Sequence, residues 1–536
     1  MRKRLLAAIM ATSLVVSALT GCGAKDVNGE SSGKAAKEMV LQDDIVTVNC
    51  NDGDPGTLDP FAASSSARSV CLMQIYDKLI EYDKNGELVG VMAKNWSQEG
   101  RVVSLELYDD IKDSAGNLFT AEDAVYCIQK AAEGGNTSAL VFENMEVVDA
   151  THLKLTVNSD AVSTFENNIT GIYMVTKAAY EECEENMSMN PVSTGAYNVE
   201  KYETGASLTL KVNENYWQKE EERKALIKQQ NVETIVYNLM TESSQVIVGL
   251  ESGEIDAAMC DFNLASRFEE GGESADKGLE VTSIPTWGGN ALFFNDAADN
   301  YFHDNLDLKK AILYSIDRQG IIDAVFEGNA INPVCYGQLR YPDADPAWAE
   351  QDYFNYDPEK AEEYFAKSGY QSGELTLRLI YPSSSYCDNM ADLIQAYLGV
   401  LGINVEVNSL ESAIYSEYIT DSTQWDIAFI GKGGSGSITR IWNSVLNRDN
   451  YSSDGSYCAG FIKDDKLQEL LVEASKIETN SVETVDAFQQ YLIDQAYNMQ
   501  LYVEEKCVVY NTGKIMEICT NADARWVPGA STFAWN

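Results

Sequence analysis

WDIAFIGKGGSGSITRIW, residues 425–442, is the stretch on which the fold turns. An apolar run of strand character ends at Ile430 and empties into glycines and serines, and SITRIWNSVLNR beyond them has helical character. Gly431, Gly433 and Gly436 spell G-x-G-x-x-G between the two, which is the context of a dinucleotide-binding turn whose amides cradle a pyrophosphate. That fold also needs an acidic residue at the end of a second strand, about 20 residues on. Asp449 comes eighteen residues after Gly431 but sits in the loop-like RDNYSSDG. The dinucleotide reading therefore fails, and the loop is expected at the substrate cleft of a different α/β fold.

Outward from this stretch, short strand patterns recur at IVTVN (45–49), TLRLIY (376–381) and NVEVNSL (404–410), and they alternate with helical patterns such as 388–401. This alternation predicts α/β lobes. Helix boundaries are marked chemically. Thr120 precedes TAEDAVYCIQKAA as an N-cap with Glu122 and Asp123 in the first turn, and Asp357-Pro358 opens a helix that Gly369 closes.

The N-terminus predicts the compartment. Arg2, Lys3 and Arg4 precede an apolar stretch from Leu5 to Leu19, shorter than a membrane span of roughly 20 residues. Leu19-Thr20-Gly21-Cys22 then resembles the bacterial lipoprotein signal, which implies cleavage before Cys22 and attachment of diacylglycerol to its sulfur. Residues 1–22 are read as that signal and 23–41, polar and small, as a flexible tether. The length of 536 residues predicts two to four domains, and no later apolar run approaches a span. A formal charge of −44, from 83 acidic and 39 basic residues, opposes binding to nucleic acid or to bare anionic lipid. Ten cysteines besides Cys22 are scattered without a C-x-x-C, so no zinc site is expected and most are read as buried thiols. His152 and His303, the two histidines of the chain, fall far apart, which gives nickel no ligand set.

Several blocks, in order, resemble the extracellular solute-binding proteins of peptide and nickel ABC importers, family 5. They are TLDP (57–60), IYDKLIEYDKNGELVGVMAKNW (75–96), LFTAEDAVYCIQK (118–130) and STGAYNVEKYETGASLTLKVNENYW (193–217). LESGEIDAAM (250–259), FFNDAADNYFHDNLDLKKAILYSIDRQGIIDAVFEG (293–328) and YDPEKAEEYFAKSGY (356–370) continue the series, and the resemblance covers roughly residues 44–510. It implies a two-lobed clamp of the periplasmic-binding-protein type II class with an extra third domain. The implied division gives 42–73, 191–286 and 511–536 to the first lobe, 74–190 to the extra domain and 287–510 to the second lobe. The implied hinge contains Gly288 and Gly289.

The resemblance further implies a lipid-anchored receptor that captures peptides between its lobes and hands them to an ABC permease served by separate ATPase subunits, with no cofactor, no metal and no catalysis. An oligosaccharide or other small polar solute is the alternative ligand. A secreted hydrolase working through paired acids is the alternative of another class, although G-x-S-x-G and H-E-x-x-H are missing. Candidate ligand contacts are Ser64, Ser65, Ser66 and Arg68 after TLDP, Trp287 and Asn290 at the lobe crossing, Tyr381 and Tyr386 near a strand end, and Ser435, Ser437, Arg440 and Trp442 in the opening stretch. The chain departs from the family at one telling place. The aspartate that pairs with a peptide's amine in peptide-binding members aligns with Ser435, and the neighbouring tryptophan with Lys432.

Overall fold

The computed structural model describes residues 44–534, apart from 63–64, 84–86, 163, 221–224, 435 and 522–524. All of these belong to one unit of the chain, Asp43–Asn536. In chain order, β1 (Ile45–Asn49) leads through the TLDP turn into α1 (Ser66–Ile75). β2 (Ala93–Glu99), β3 (Val102–Leu107), α2 (Ala121–Glu133), β4 (Phe142–Val147) and β5 (His152–Val157) follow. Then come β6 (Tyr197–Glu203), β7 (Ser207–Val212), β8 (Thr234–Asn238), β9 (Ala257–Cys260) and β10 (Leu279–Pro285). Beyond a crossing lie β11 (Gly289–Phe294), α3 (Leu306–Ser315), α4 (Pro358–Lys367), β12 (Thr376–Pro382) and α5 (Ser385–Val400). The chain continues with β13 (Asn404–Leu410), β14 (Ile427–Lys432), α6 (Ile438–Leu446), β15 (Asn498–Gln500) and β16 (Val503–Asn511).

These strands build three principal sheets. The first runs β10-β16-β9-β1-β8-β7-β6, with β1 parallel to both β8 and β9. The second runs β13-β12-β14-β11-β15, with β12 parallel to β13 and β14. The third, β2-β3-β5-β4, is antiparallel throughout.

Side-chain alternation decides how each sheet is covered. β3 and β5, VVSLEL and HLKLTV, bury every second residue, as a sheet with one wet face requires. β14 is different, because IAFI is buried throughout. Ile427 and Phe429 enter a core with Leu292, Phe294, Leu377 and Leu379, while Ala428 and Ile430 enter another with Ala291, Phe293 and Ile380. The second sheet is thus packed on both faces, and that is why the opening stretch reads as an unbroken apolar run.

The helix signals act as their chemistry dictates. The Thr120 amide donates to the Asp123 carboxylate at 2.7 Å. Asp357 accepts from the Lys360 amide at 3.0 Å, and Gly369 takes a φ of +88°. α5 starts at Ser385 and not near 388, because the Ser384 hydroxyl caps it by accepting from the Cys387 amide at 3.3 Å. The ten described cysteines form no disulfide among themselves, and Cys50, Cys71, Cys127, Cys260, Cys335, Cys387, Cys458 and Cys507 are buried.

The chain passes from the first sheet to the second between β10 and β11, and back between β15 and β16. The two passages are zipped together. The Thr286 amide donates to the Glu504 carbonyl at 2.9 Å, the Glu504 amide to the Gly288 carbonyl at 2.8 Å, and the Leu501 amide to the Asn290 carbonyl at 2.9 Å. A Cβ on Gly289 would stand 2.0 Å from the Tyr502 carbonyl oxygen, so glycine is needed here for close approach of two backbones. Neither Gly288 nor Gly289 occupies the left-handed region in this structure. On the return, β16 pairs with β9 and β10 along the first sheet.

A buried ionic joint ties residues 77–81 to the first sheet's connections. The Lys228 ammonium lies 3.5 Å from Asp77 and 3.2 Å from Glu81, and donates to the Met73 carbonyl at 2.9 Å. Asp77 also accepts from the Tyr216 hydroxyl and the Trp217 indole N–H, each at 2.9 Å. Burial dominates over these partners and raises the Asp77 carboxyl to about 6. The folded state therefore keeps a proton that the unfolded chain loses near pH 4, so this group's contribution falls as pH rises from about 4 to 6, by about 3 kcal/mol. Subtracting the urea-derived pH–stability curve of Asp77→Asn from that of the parent chain is expected to leave this decline. A flat difference across the window refutes the assignment.

Candidate ligand-binding site

At the carboxyl ends of parallel strands the backbone stops pairing and loops diverge, which is where open α/β sheets bind ligands. The first sheet has such an edge where β1, β8 and β9 end side by side. A cavity of about 230 Å³ lies there. Asn49, Cys50 and Asp52 enter it from the end of β1, Tyr237 from β8, and Cys260 and Asp261 from the end of β9. β16 adds Glu504 and Lys506 immediately after the return crossing, α1 adds Val70, and the C-terminal segment adds Arg525 and Trp526.

Hydrogen bonds fix the floor. The Asn49 amide group donates to the Met240 carbonyl at 3.0 Å and to Asn51, so the loops after β1 and β8 are held together. The Asp261 carboxylate caps a short helix by accepting from the Leu264 amide at 3.0 Å. Tyr237 is buried, and its hydroxyl has no hydrogen-bond partner among the described residues. An orphan hydroxyl of this kind is costly unless something supplies its partner. Glu504 is exposed on one side; partial desolvation by its neighbours raises its carboxyl above the usual range, Lys506 opposes the shift, and nearby Asp261 adds to it.

Most residues singled out from the sequence lie elsewhere. Ser65 caps α1 by accepting from the Arg68 amide at 3.3 Å, and Ser66 offers its carbonyl to Arg525 at 3.5 Å. Arg68 is buried and donates to the carbonyls of Ala62, at 2.6 Å, and Asp59, so it shapes the TLDP turn. Trp287 is buried beneath Arg340, whose guanidinium stands 3.6 Å from the ring centroid. Asn290 faces inward and donates to the Tyr502 hydroxyl at 3.1 Å. Tyr381 lies within β12, buried against Phe429, with its hydroxyl pushed up to about 12 by burial. Tyr386 is exposed in the first turn of α5. Trp442 is fully buried among core residues, and its indole N–H donates to the Tyr336 carbonyl at 2.8 Å. Cys22, Ser64 and Ser435 lie outside the described residues.

The glycine loop of 431–436 also finds a different neighbour. A Cβ on Gly433 would meet the Gly288 Cα at 2.5 Å, and one on Gly436 would meet Asn167 at 2.5 Å and Tyr82 at 2.8 Å. The loop is thus pressed between the crossing and residues 82–167. Ser437 caps α6, accepting from the Arg440 amide at 3.2 Å, and with Tyr82 and Asp343 it borders a separate cavity of about 590 Å³. Arg440 borders the next crevice, beside Asn167 and Asn443. His152 lies on β5 and His303 on a turn before α3, both exposed.

The molecule thus has two sheets joined by a pair of hydrogen-bonded crossings, with a cavity at the carboxyl edge of one of them. The family described as bacterial extracellular solute-binding proteins, family 5, middle, matches residues 87–446. The chain belongs to that family. It is 22% identical over 494 residues to a dipeptide-binding protein of Pseudomonas aeruginosa, covering 83% of this chain and 86% of that one. It is 24% identical over 415 residues to a glutathione-binding protein of Escherichia coli, with 75% of each covered. The solved structure of the ABC transporter substrate-binding protein CtaP of Listeria monocytogenes superposes with a TM-score of 0.74 at 17% identity, covering 91% of this chain and 99% of that one. The fold is that of the type II periplasmic binding proteins of the peptide-binding class.

The cavity residues Asp52, Tyr237, Asp261, Glu504, Lys506 and Arg525 escaped the sequence reading. The signal for Asp52 and Asp261 was available, since each follows a strand that ends in a polar turn. Glu504 and Lys506 alternate at the start of β16.

Proposed function

We propose that the mature protein is a lipid-anchored receptor of an ABC importer that captures peptides between its lobes and delivers them, unaltered, to a permease with separate ATPase subunits. The observation that carries this reading is the cavity beside the crossings, with carboxylates, cations and an unpartnered tyrosine hydroxyl around one space. Peptides present an ammonium, a carboxylate and backbone amides to match such a lining. The dipeptide- and glutathione-binding relatives support the same ligand class. In this reading the first lobe comprises 44–73, 191–285 and 503–534, the extra domain 74–190 and the second lobe 289–500. Hinge motion then occurs at the paired crossings around Gly288 and Tyr502.

Thermal unfolding of the mature body with a peptide mixture tests the receptor role. A bound peptide at one hundred times its Kd is expected to stabilise the folded state by about 2.7 kcal/mol. The peptides are expected back intact, and turnover products in excess over protein contradict a receptor. The anchor is tested separately. Cys22→Ser is expected to abolish incorporation of labelled fatty acid and to release the protein from the membrane fraction, and retention of both in the variant refutes lipidation at Cys22.

A further inference from the structure

We propose that Cys50 and Cys71 form an oxidisable dithiol, a modification site beside the cavity of the first sheet, where a small-molecule disulfide converts the two thiols into one disulfide bond between the end of β1 and α1. The site is independent of which solute the receptor carries.

Strand alternation brings the two residues together. Val46, Val48 and Cys50 share one face of β1 and its extension, and they enter a single core with Cys71 and Leu72 of α1. The Cys50 amide donates to the Asn238 carbonyl at 2.7 Å and the Cys50 carbonyl accepts from the Gly53 amide at 3.0 Å, so the backbone that carries the thiol is held on both sides. Within the core the two thiols meet, Cys71 donating its S–H to the Cys50 sulfur. Sulfurs already in hydrogen-bond contact need little backbone movement to bond covalently. The cavity of about 230 Å³ supplies a route for a reagent, because Cys50 lines it although the residue is only 3% exposed. Other buried cysteines are placed differently. Cys127 sits in the core of the extra domain and donates to the Val175 carbonyl at 3.1 Å. Cys260 stands opposite Cys507 across the ladder of β9 and β16, on the other face of the sheet, but there the Cys260 sulfur bonds to the Val509 backbone and the Cys507 sulfur meets the Ser283 hydroxyl at 4.0 Å.

The surroundings assign a role to each thiol. The hydrogen bond from Cys71 lowers the Cys50 thiol below its ordinary value, and the amides of Asp52 and Gly53 add to this against burial and the Asp52 carboxylate. The same bond and burial raise Cys71 well above its ordinary value. Cys50 is thus the attacking thiol and Cys71 the resolving one. As a thiolate, Cys50 displaces one sulfur of the reagent disulfide, so that a mixed disulfide forms on Cys50 and one reagent thiolate departs. Cys71 then gives up its proton and attacks the Cys50 sulfur, which expels the second reagent thiolate. The two cysteine protons end on the two departing thiolates, so two cysteine thiols are oxidised and one reagent disulfide is reduced to two thiols. The product closes the loop from Cys50 to Cys71, which contains the TLDP turn. Such bonds persist outside the cytoplasm, where this extracellular family works.

The test exposes the reduced, full-length protein to hydroxyethyl disulfide under native conditions, quenches samples over time with acid, and maps the bonds by proteolysis without reduction and mass spectrometry. A Cys50–Cys71 cross-link that dithiothreitol removes is expected, and it should form at least about tenfold faster than any reagent adduct on Cys127. Cys71→Ala is expected to stop at the mixed disulfide, with one hydroxyethylthio group retained on Cys50, and Cys50→Ala to leave Cys71 unmodified. The parent protein decides the matter even where a variant misfolds. Cys50 and Cys71 that both stay reduced in the native protein, while the urea-unfolded chain reacts, overturn the proposal, and so does a first cross-link that joins any other pair of cysteines.

Discussion

Replacing Lys228 with methionine is expected to destabilise the folded body by about 3–5 kcal/mol, the cost of breaking a buried ion pair on one side. Lys228 is buried to within 2% of full burial, and removing its ammonium leaves the Asp77 and Glu81 carboxylates, 0% and 7% exposed, without their cation. Proton uptake by Asp77, which already sits near 6, softens the loss at acid pH, so the effect should be larger at pH 7 than at pH 5. Combining Lys228→Met with Asp77→Asn and Glu81→Gln is expected to recover most of the stability, because no charge is then stranded. Urea unfolding of the single and triple variants measures both. A single variant within 1 kcal/mol of the parent contradicts the account of this joint.

Trp442→Ala is expected to cost about 3–5 kcal/mol, since it empties a large fully buried site. The ring stands 4.7 Å from Phe488 and 6.2 Å from Trp348, and its removal leaves the Tyr336 carbonyl without the indole N–H donor. The neighbouring Ser437→Ala removes a helix cap and should cost about 1 kcal/mol. If Trp442 were a ligand contact and not core, the alanine variant would keep its stability and lose affinity. The expected outcome is the reverse: the loss appears in chemical denaturation without any ligand present.

These two residues illustrate what the sequence made legible. Local signals were reliable where chemistry and position coincide. Asp123 bonds back to Thr120, Asp357 caps the helix at Pro358, and WDIAFI is a strand. The alternation of strands and helices gave the α/β class, and the ordered blocks gave the family, which matches residues 87–446. Function was harder to place because the candidate site is assembled by topology. Asp52, Tyr237, Asp261, Glu504 and Arg525 are scattered over more than four hundred residues and meet because β16 returns between β9 and β10. No periodicity in the sequence announces that insertion. The glycine loop misled for a related reason: a glycine serves equally for approach to a ligand and for approach to another backbone. Gly433 and Gly436 serve the second purpose, against Gly288 and against Tyr82 and Asn167.

The receptor reading has one decisive measurement. Native mass spectrometry of the mature protein, after exposure to a peptide mixture and removal of free ligand, is predicted to show one short peptide per chain. On denaturation that peptide should be released intact, with both termini free. A protein that stays empty at every peptide concentration, or that converts the peptides to products in excess over itself, contradicts the account.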